Sequence, residues 1–401
     1  MISTRAIHRF FTSLALGAAF SAPLFGKDQE QPVVTLLQNV NVWDGRSDGL
    51  KKDQDILIVR NLIKKIAKDI PTSGTYELAQ ASGKVTDKGI HVGTNAYSFK
   101  VVDDDGKTEK VEVKVNVIDG GGRTVIPGLI DMHSHLSIHE GMLDGRDDWD
   151  QMAIGAISQE RLRSYLDQGF TTARDAGGNV LGLAKAVRLG RIPGPRIYGS
   201  GGFLTQTGGH GDVGRWNDQP GDTNVLTKNG FSYHCDGVDE VIKAARYNLR
   251  AGATQLKIMG GGGVASEFDP LHMVQFSQEE MEAAVSVAKD YGTYCLVHAY
   301  HDLSVNRAID AGVKCIEHNF LVSEDTIKRM KKEGIALSCQ SIISLVTFAN
   351  PEQITFFSPD QQAKGKKVNQ GASQMFEWAV KPDLLMVLGG DVFGVADGPR
   401  Q

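Results

Sequence analysis

His133 and His135 stand one residue apart in VIPGLIDMHSHL, an apolar run that the chain enters through Pro127 and Gly128. Side chains on a strand alternate with period two, so both imidazoles point the same way and can grip one metal ion at the strand's end. Further ligand types close other strand-like runs: Lys257 in ATQLKIMGG, His298 in YCLVHAY, His318 in KCIEHNF and Asp391 in LLMVLGGDV. Neutral imidazoles and a carboxylate are good zinc ligands. A single strand histidine reads as easily as a packed core residue, but these groups together read as one site. Cys235, Cys295, Cys315 and Cys339 form no C-x-x-C pair and lack zinc-finger spacing, so no ligand role falls to them. Buried free thiols are expected.

The elements that must position these groups alternate in type from Thr124 onward. Short apolar runs such as FTTARDAG, RIYGSGGFL and ALSCQSI are separated by amphipathic stretches such as EEMEAAVSVAKDYG and SEDTIKRMKKEG, each ending in glycine as helices often do. The repeated strand–helix alternation predicts an α/β fold, a (β/α)8 TIM barrel rather than a doubly wound sheet. Such barrels gather their active sites at the C-terminal strand ends, where the polar residues of these runs fall. Before the barrel, VVTLLQNVNVWDG and DILIVRNLIKKIAKDI alternate like strands of a small sheet. YSFKVVDDDGKTEKVEVKVNVID reads as a hairpin closed by Asp104, Asp105, Gly106 and Lys107. The expected organisation is a signal peptide over residues 1–22, a small N-terminal β-rich subdomain over 30–122 and the barrel over 123–401. The chain stops ten residues past Asp391, so a barrel truncated after strand eight is expected.

With 41% hydrophobic and 23% charged residues, a formal net charge of −5 and a pI near 6.1, the chain is not built for nucleic acid or for an acidic membrane surface. Arg5, His8 and Arg9 precede an apolar stretch from Phe10 to Phe20, and Ala19, Ser21 and Ala22 offer a cleavage point. That stretch is too short to span a bilayer. Secretion or export to a periplasm is expected, with no membrane attachment after cleavage; a buried first helix is the alternative. The hairpin edge offers a surface for a homo-oligomer.

Taken together, the H-x-H after VIPGLID, Lys257, His298, His318 and Asp391 resemble the amidohydrolase superfamily of metal-dependent hydrolases. The stretches GFTTARDAGG, GPRIYGSGGFLTQTGGHGD, LKIMGGGGVASE and IEHNF are similar to its Xaa-Pro and Xaa-Arg/Lys dipeptidase-like and ochratoxinase-like branch, from Asn39 onward, with Ser73–Asp119 as an insertion. The resemblance implies two zinc ions, or other divalent metals, bridged by Lys257 after its carboxylation by carbon dioxide. It places His133, His135 and Asp391 on one ion and His298 and His318 on the other. Burial against two cations would keep the lysine amine neutral. The implied activity is hydrolysis of an amide or peptide bond in a dipeptide or N-acyl amino acid, ochratoxin-type amides included. The resemblance further implies that a metal-bridging hydroxide would be the nucleophile and that Asp391 would move the proton. Two alternatives stay open: a mononuclear deaminase or imidazolonepropionase-like hydrolase, against which Lys257 speaks, and a truncated inactive fragment. One departure from the usual pattern is the pair Gly389 and Gly390, where a threonine or serine commonly precedes the aspartate.

Tyr300, His210 and Tyr198 are candidate substrate contacts, each of which also reads as an ordinary packed or loop residue. Arg174 and Asp175 are expected to form an ion pair inside the barrel. Gly260–Gly263 lacks the Gly-Lys-Ser/Thr of a phosphate loop and instead suits close backbone approach. Side-chain specificity has no readable code in the loops after strands one, three and seven.

Overall fold

The computed structural model describes residues 34–72, 74–75, 96–102, 108–139, 142, 149–219, 221–340, 344–354 and 357–391. The expected signal segment and the hairpin turn at Asp104–Lys107 lie outside the described residues. The chain forms two compact units, Met1–Pro127 and Gly128–Gln401.

The first unit is a sheet of β1 (Val34–Val42), β2 (Lys51–Val59), β3 (Leu62–Ala67), β4 (Gly74–Thr75), β5 (Ala96–Val102), β6 (Thr108–Asp119) and β7 (Thr124–Val125). Its order is β3-β2-β1-β6-β5-β4, with β7 also paired to β1. β5 and β6 pair antiparallel from Ala96–Lys114 to Val102–Thr108, which is the expected hairpin. Alternation explains its core: Val34, Leu36, Leu57 and Val59 turn one way and are buried with Ile70 and Val115. The buried carboxylate of Asp55 is satisfied by the backbone N–H groups of Asn39 (3.0 Å) and Ile70 (2.9 Å).

The second unit runs β8 (Leu129–Ser134), α1 (Gln151–Asp167), β9 (Phe170–Asp175), α2 (Leu181–Arg188), β10 (Arg196–Gly199), β11 (Phe203–Thr205), α3 (Val225–Lys228), β12 (Ser232–His234), α4 (Val238–Ala251), β13 (Leu256–Met259) and α5 (Gln278–Asp290). It continues β14 (Cys295–His301), α6 (Asp302–Asp310), β15 (Cys315–Leu321), α7 (Glu324–Glu333), β16 (Ala336–Cys339), α8 (Pro359–Val380) and β17 (Met386–Leu388). Neighbouring strands pair in parallel throughout. β10 continues through Gly199–Gly202 into β11, so the two act as one barrel strand that pairs first with β9 and then with β13. The ring closes where Asp391 N–H, just past β17, donates to the His133 carbonyl at 2.8 Å. This is the expected TIM barrel.

Helix ends follow local chemistry. Ser277 and Glu280 form a capping box on α5, and Ser358 with Gln361 does the same for α8, whose first residue is Pro359. α7 ends on Gly334 in the left-handed conformation (φ 67°). The strands between these helices are covered on both faces, so Leu256–Met259 is buried throughout. All four cysteines are buried free thiols.

Candidate metal centre

The C-terminal end of the barrel collects the groups singled out from the sequence. His133 Nε2 and His135 Nε2 each lie 3.3 Å from Asp391 Oδ1, and His318 Nδ1 lies 3.8 Å from Asp391 Oδ2. The ligand atoms of His133, His135 and Asp391 all fall within 4.8 Å of one another. The His318 ring sits 4.9 Å from that of His133 and 4.5 Å from that of His298. Lys257 is 1% exposed, within electrostatic reach of Asp391.

Local backbone aims these side chains. His318 and Asn319 both adopt positive φ (75° and 65°), where the β14–β15 register shifts. This bulge turns the end of β15. Asp391 also sits in the left-handed region (φ 51°), which aspartate tolerates better than most residues. Gly389 has no alternative, because a Cβ there would lie 2.3 Å from His133 Cβ. Gly390 N–H donates to Asp131 Oδ1 at 3.0 Å. Asp131 also accepts from His133 N–H (2.9 Å) and Tyr165 Oη (2.8 Å), so one buried carboxylate ties the ends of β8 and β17 together.

Burial sets the charges. It holds His133 and His298 well below the usual imidazole range and His318 at about 3. Burial also pulls His135 down, but the hydrogen bond and charge of Asp391 outweigh it and raise His135 overall. For Asp391 burial opposes ionisation, yet the imidazoles of His133, His135 and His318 hold its carboxyl well below the usual range. Burial brings the Lys257 amine down to about 8, against the opposing charges of Glu317 and Asp391. Largely neutral imidazoles around one buried carboxylate are the donor set a divalent cation requires, so these residues fit a metal.

The other candidates separate. His210 lies on His298, and its Nδ1 bonds Ser266 Oγ at 2.6 Å. Tyr300 is 5% exposed, with its ring 4.8 Å from His298 and 5.3 Å from His318. Tyr198 is not brought to the cluster. Gly199–Gly202 prolongs its strand, so the rim lies further on, and Tyr198 is 44% exposed on β10. Nor do Arg174 and Asp175 pair with each other, because strand neighbours point to opposite faces. Arg174 Nη2 bonds Glu317 Oε1 at 2.6 Å, while Asp175 accepts from the N–H groups of Leu136 and Gly177. Sequence reasoning missed Glu317, Asp131 and Asp269. Their one signal was a carboxylate inside or beside an apolar run.

A sequence model described as "Amidohydrolase family" matches residues 124–391. Ochratoxinase of Aspergillus niger is 30% identical over 286 residues, covering 67% of this chain and 58% of that protein. The chain therefore spans about 58% of the length of this curated relative. Among solved structures, a prolidase complexed with N-methylphosphonate-L-proline superposes with a TM-score of 0.75 at 30% identity, over 91% of this chain and 80% of that one. An Xaa-Pro dipeptidase with methionine bound in its active site gives 0.70 at 25% identity, over 91% and 81%.

Proposed function

The chain belongs to the amidohydrolase family, and from that premise we propose that it is a metal-dependent hydrolase of amide bonds. Its substrates are dipeptides or N-acyl amino acids, with ochratoxin-type amides in the same class. The observation that carries this reading is the convergence of His133, His135 and Asp391 on one point, with Lys257, His298 and His318 beside them. His133, His135 and Asp391 would hold one divalent ion and His298 and His318 a second, with carboxylated Lys257 between. Bound there, zinc ions supply Lewis-acid charge that polarises the amide carbonyl and acidifies water.

The chain's own residues do the rest. A Lys257 amine with its pKa brought down to about 8 is neutral often enough near neutral pH to add carbon dioxide and lose a proton. Asp391, ionised between the imidazoles, takes the proton of the attacking water and hands it to the departing amine nitrogen. Burial raises the pKa of Tyr300, so its hydroxyl keeps its proton and can donate to the substrate carbonyl or carboxylate. His210, stacked on His298, stands beside the same cluster. The basic and apolar N-terminal segment supports export as the destination, while the hairpin expected to offer an edge for a homo-oligomer is interior to the sheet order, with β5 between β4 and β6 and β6 between β5 and β1.

The test is a zinc-loaded full chain, supplied with bicarbonate and offered Xaa-Pro and Xaa-Arg/Lys dipeptides, N-acyl amino acids and an ochratoxin-type amide. Hydrolysis that a chelator abolishes is expected. No turnover anywhere in that panel, from protein shown to hold metal, would overturn the substrate class. Near two metal ions per chain are expected, and one ion with ammonia release from a heterocycle would favour the mononuclear deaminase instead.

A further inference from the structure

Glu317 is fully buried on β15, and the reaction as proposed gives it no part. Its two oxygens are committed in different directions. Oε2 meets His133 Nδ1 at 2.6 Å, while Oε1 accepts from Arg174 Nη2 at 2.6 Å and from Cys315 Sγ at 3.1 Å. Arg174 is fixed in turn, because its Nε donates to the Met132 carbonyl, one residue before His133, at 2.6 Å. A buried carboxylate is costly unless both oxygens are matched, and here they are. Glu317 is thus neither a free base nor a spare ligand.

What it faces matters more. The two nitrogens of an imidazole are distinct, and a partner that holds the N–H on one leaves the lone pair on the other. Glu317 holds the N–H on His133 Nδ1, and Asp391 Oδ1 takes its hydrogen bond from His135 Nε2, so His133 Nε2, 3.3 Å from Asp391, carries the lone pair that points into the cluster. His135 shows the same arrangement with a weaker partner: its Nδ1 faces the Gly177 carbonyl at 2.8 Å. A carboxylate behind an imidazole makes it a more basic donor than a carbonyl does. We propose that Glu317, clamped by Arg174, is a positioning residue that fixes the His133 tautomer and makes His133 Nε2 the stronger donor of the H-x-H pair toward a divalent cation. The inference rests on the metal-site reading but not on any substrate.

The experiment uses the full chain and zinc alone as the probe. Histidine-selective nitrogen-15 NMR of the metal-stripped protein, with His133 assigned by difference from His133→Gln, should show the proton on Nδ1. A proton on Nε2 would overturn the proposal. Glu317→Gln keeps the shape and removes the charge, and zinc affinity measured against a competing chelator should weaken by about 10- to 100-fold. Because that change leaves Arg174 without its anion, the paired variant Arg174→Met with Glu317→Met removes both charges together. It should fold and show the same loss. Wild-type zinc affinity in either folded variant would sink the idea. Failure to hydrolyse any amide, with tautomer and affinity as stated, would count against the substrate reading and leave this one standing.

Discussion

His210 lies face to face on His298, with ring centroids 4.0 Å apart and planes 19° from parallel. The stack is built from outside the strands. Ser266 Oγ and Asp269 Oδ2 hold His210 Nδ1 at 2.6 and 3.4 Å, and Asp269 Oδ2 also accepts from Gly263 N–H at 2.8 Å. Lys364 on α8, itself buried, donates to the carbonyls of Ser266 (3.0 Å) and Asp269 (2.9 Å). A lysine on one helix therefore anchors the loop that presses His210 onto a candidate ligand.

Gly263 makes the stack possible. A Cβ at this position would lie 2.0 Å from His210 Cε1, although the backbone is not in the left-handed region. Gly263→Ala must push the ring off His298 without straining the main chain. The expected result is a folded protein destabilised by about 1–3 kcal/mol, with weaker zinc binding. Chemical unfolding and a zinc titration check it. An unchanged affinity would show that His210 does not help place His298.

Asp391→Asn tests the proton carrier. Asparagine keeps an oxygen close to His133 and His135 but has no charge and no basic site. Most of the metal content should survive, while kcat on an active substrate falls by about 100- to 10,000-fold. Metal analysis beside steady-state kinetics separates the two effects. Near-wild-type turnover would remove Asp391 from the acid–base role.

The parts of this molecule legible in the sequence are those with local period. The H-x-H pair, the strand–helix alternation and the β5–β6 hairpin each declare themselves in contiguous sequence. What stayed hidden depends on partners far away in the chain. The Glu317–His133 bond joins residues 184 positions apart, and Gly390 reaches Asp131 across 259. Nothing in KCIEHNF reveals that His318 and Asn319 take consecutive left-handed conformations, a local exception that tertiary packing imposes. Tyr198 was misplaced for another reason: the run RIYGSGGFL reads as one strand, but nothing in it says that the rim lies beyond Gly202 and not at Tyr198.

His139 should make the protein sensitive to mild acid. Its ring stacks on Trp149 with centroids 5.8 Å apart, and its Nε2 lies 3.0 Å from Ser158 Oγ. Burial first, and the nearby Arg161 charge second, bring its pKa down to about 4. In the unfolded chain the value returns to about 6.5. Between those values the unfolded state binds a proton that the folded state excludes, so stability falls as pH drops from about 6.5 toward 4. The whole effect is at most about 3 kcal/mol. His139→Gln should flatten that limb in urea unfolding curves recorded across the range. Parallel wild-type and variant curves would assign the acid loss elsewhere.

Metal binding should release a proton. Asp391 Oδ1 lies 3.3 Å from both His133 Nε2 and His135 Nε2. His135 Nδ1 already faces the Gly177 carbonyl, so donation from Nε2 to Asp391 as well makes His135 an imidazolium. That agrees with the raised pKa that Asp391 gives it against the pull of burial. A divalent cation needs the Nε2 lone pair and must displace this proton. Zinc affinity should therefore climb with pH through the range where His135 titrates, above the ordinary value of about 6.5, and level off beyond it. Calorimetry in buffers of different ionisation enthalpy should detect proton release on zinc binding. Zinc at a thousandfold excess over its Kd should stabilise the fold by about 4 kcal/mol, a rise in Tm of about 5 °C for a chain of this length. If zinc enthalpies proved independent of buffer and Tm did not move, His135 would not be a ligand.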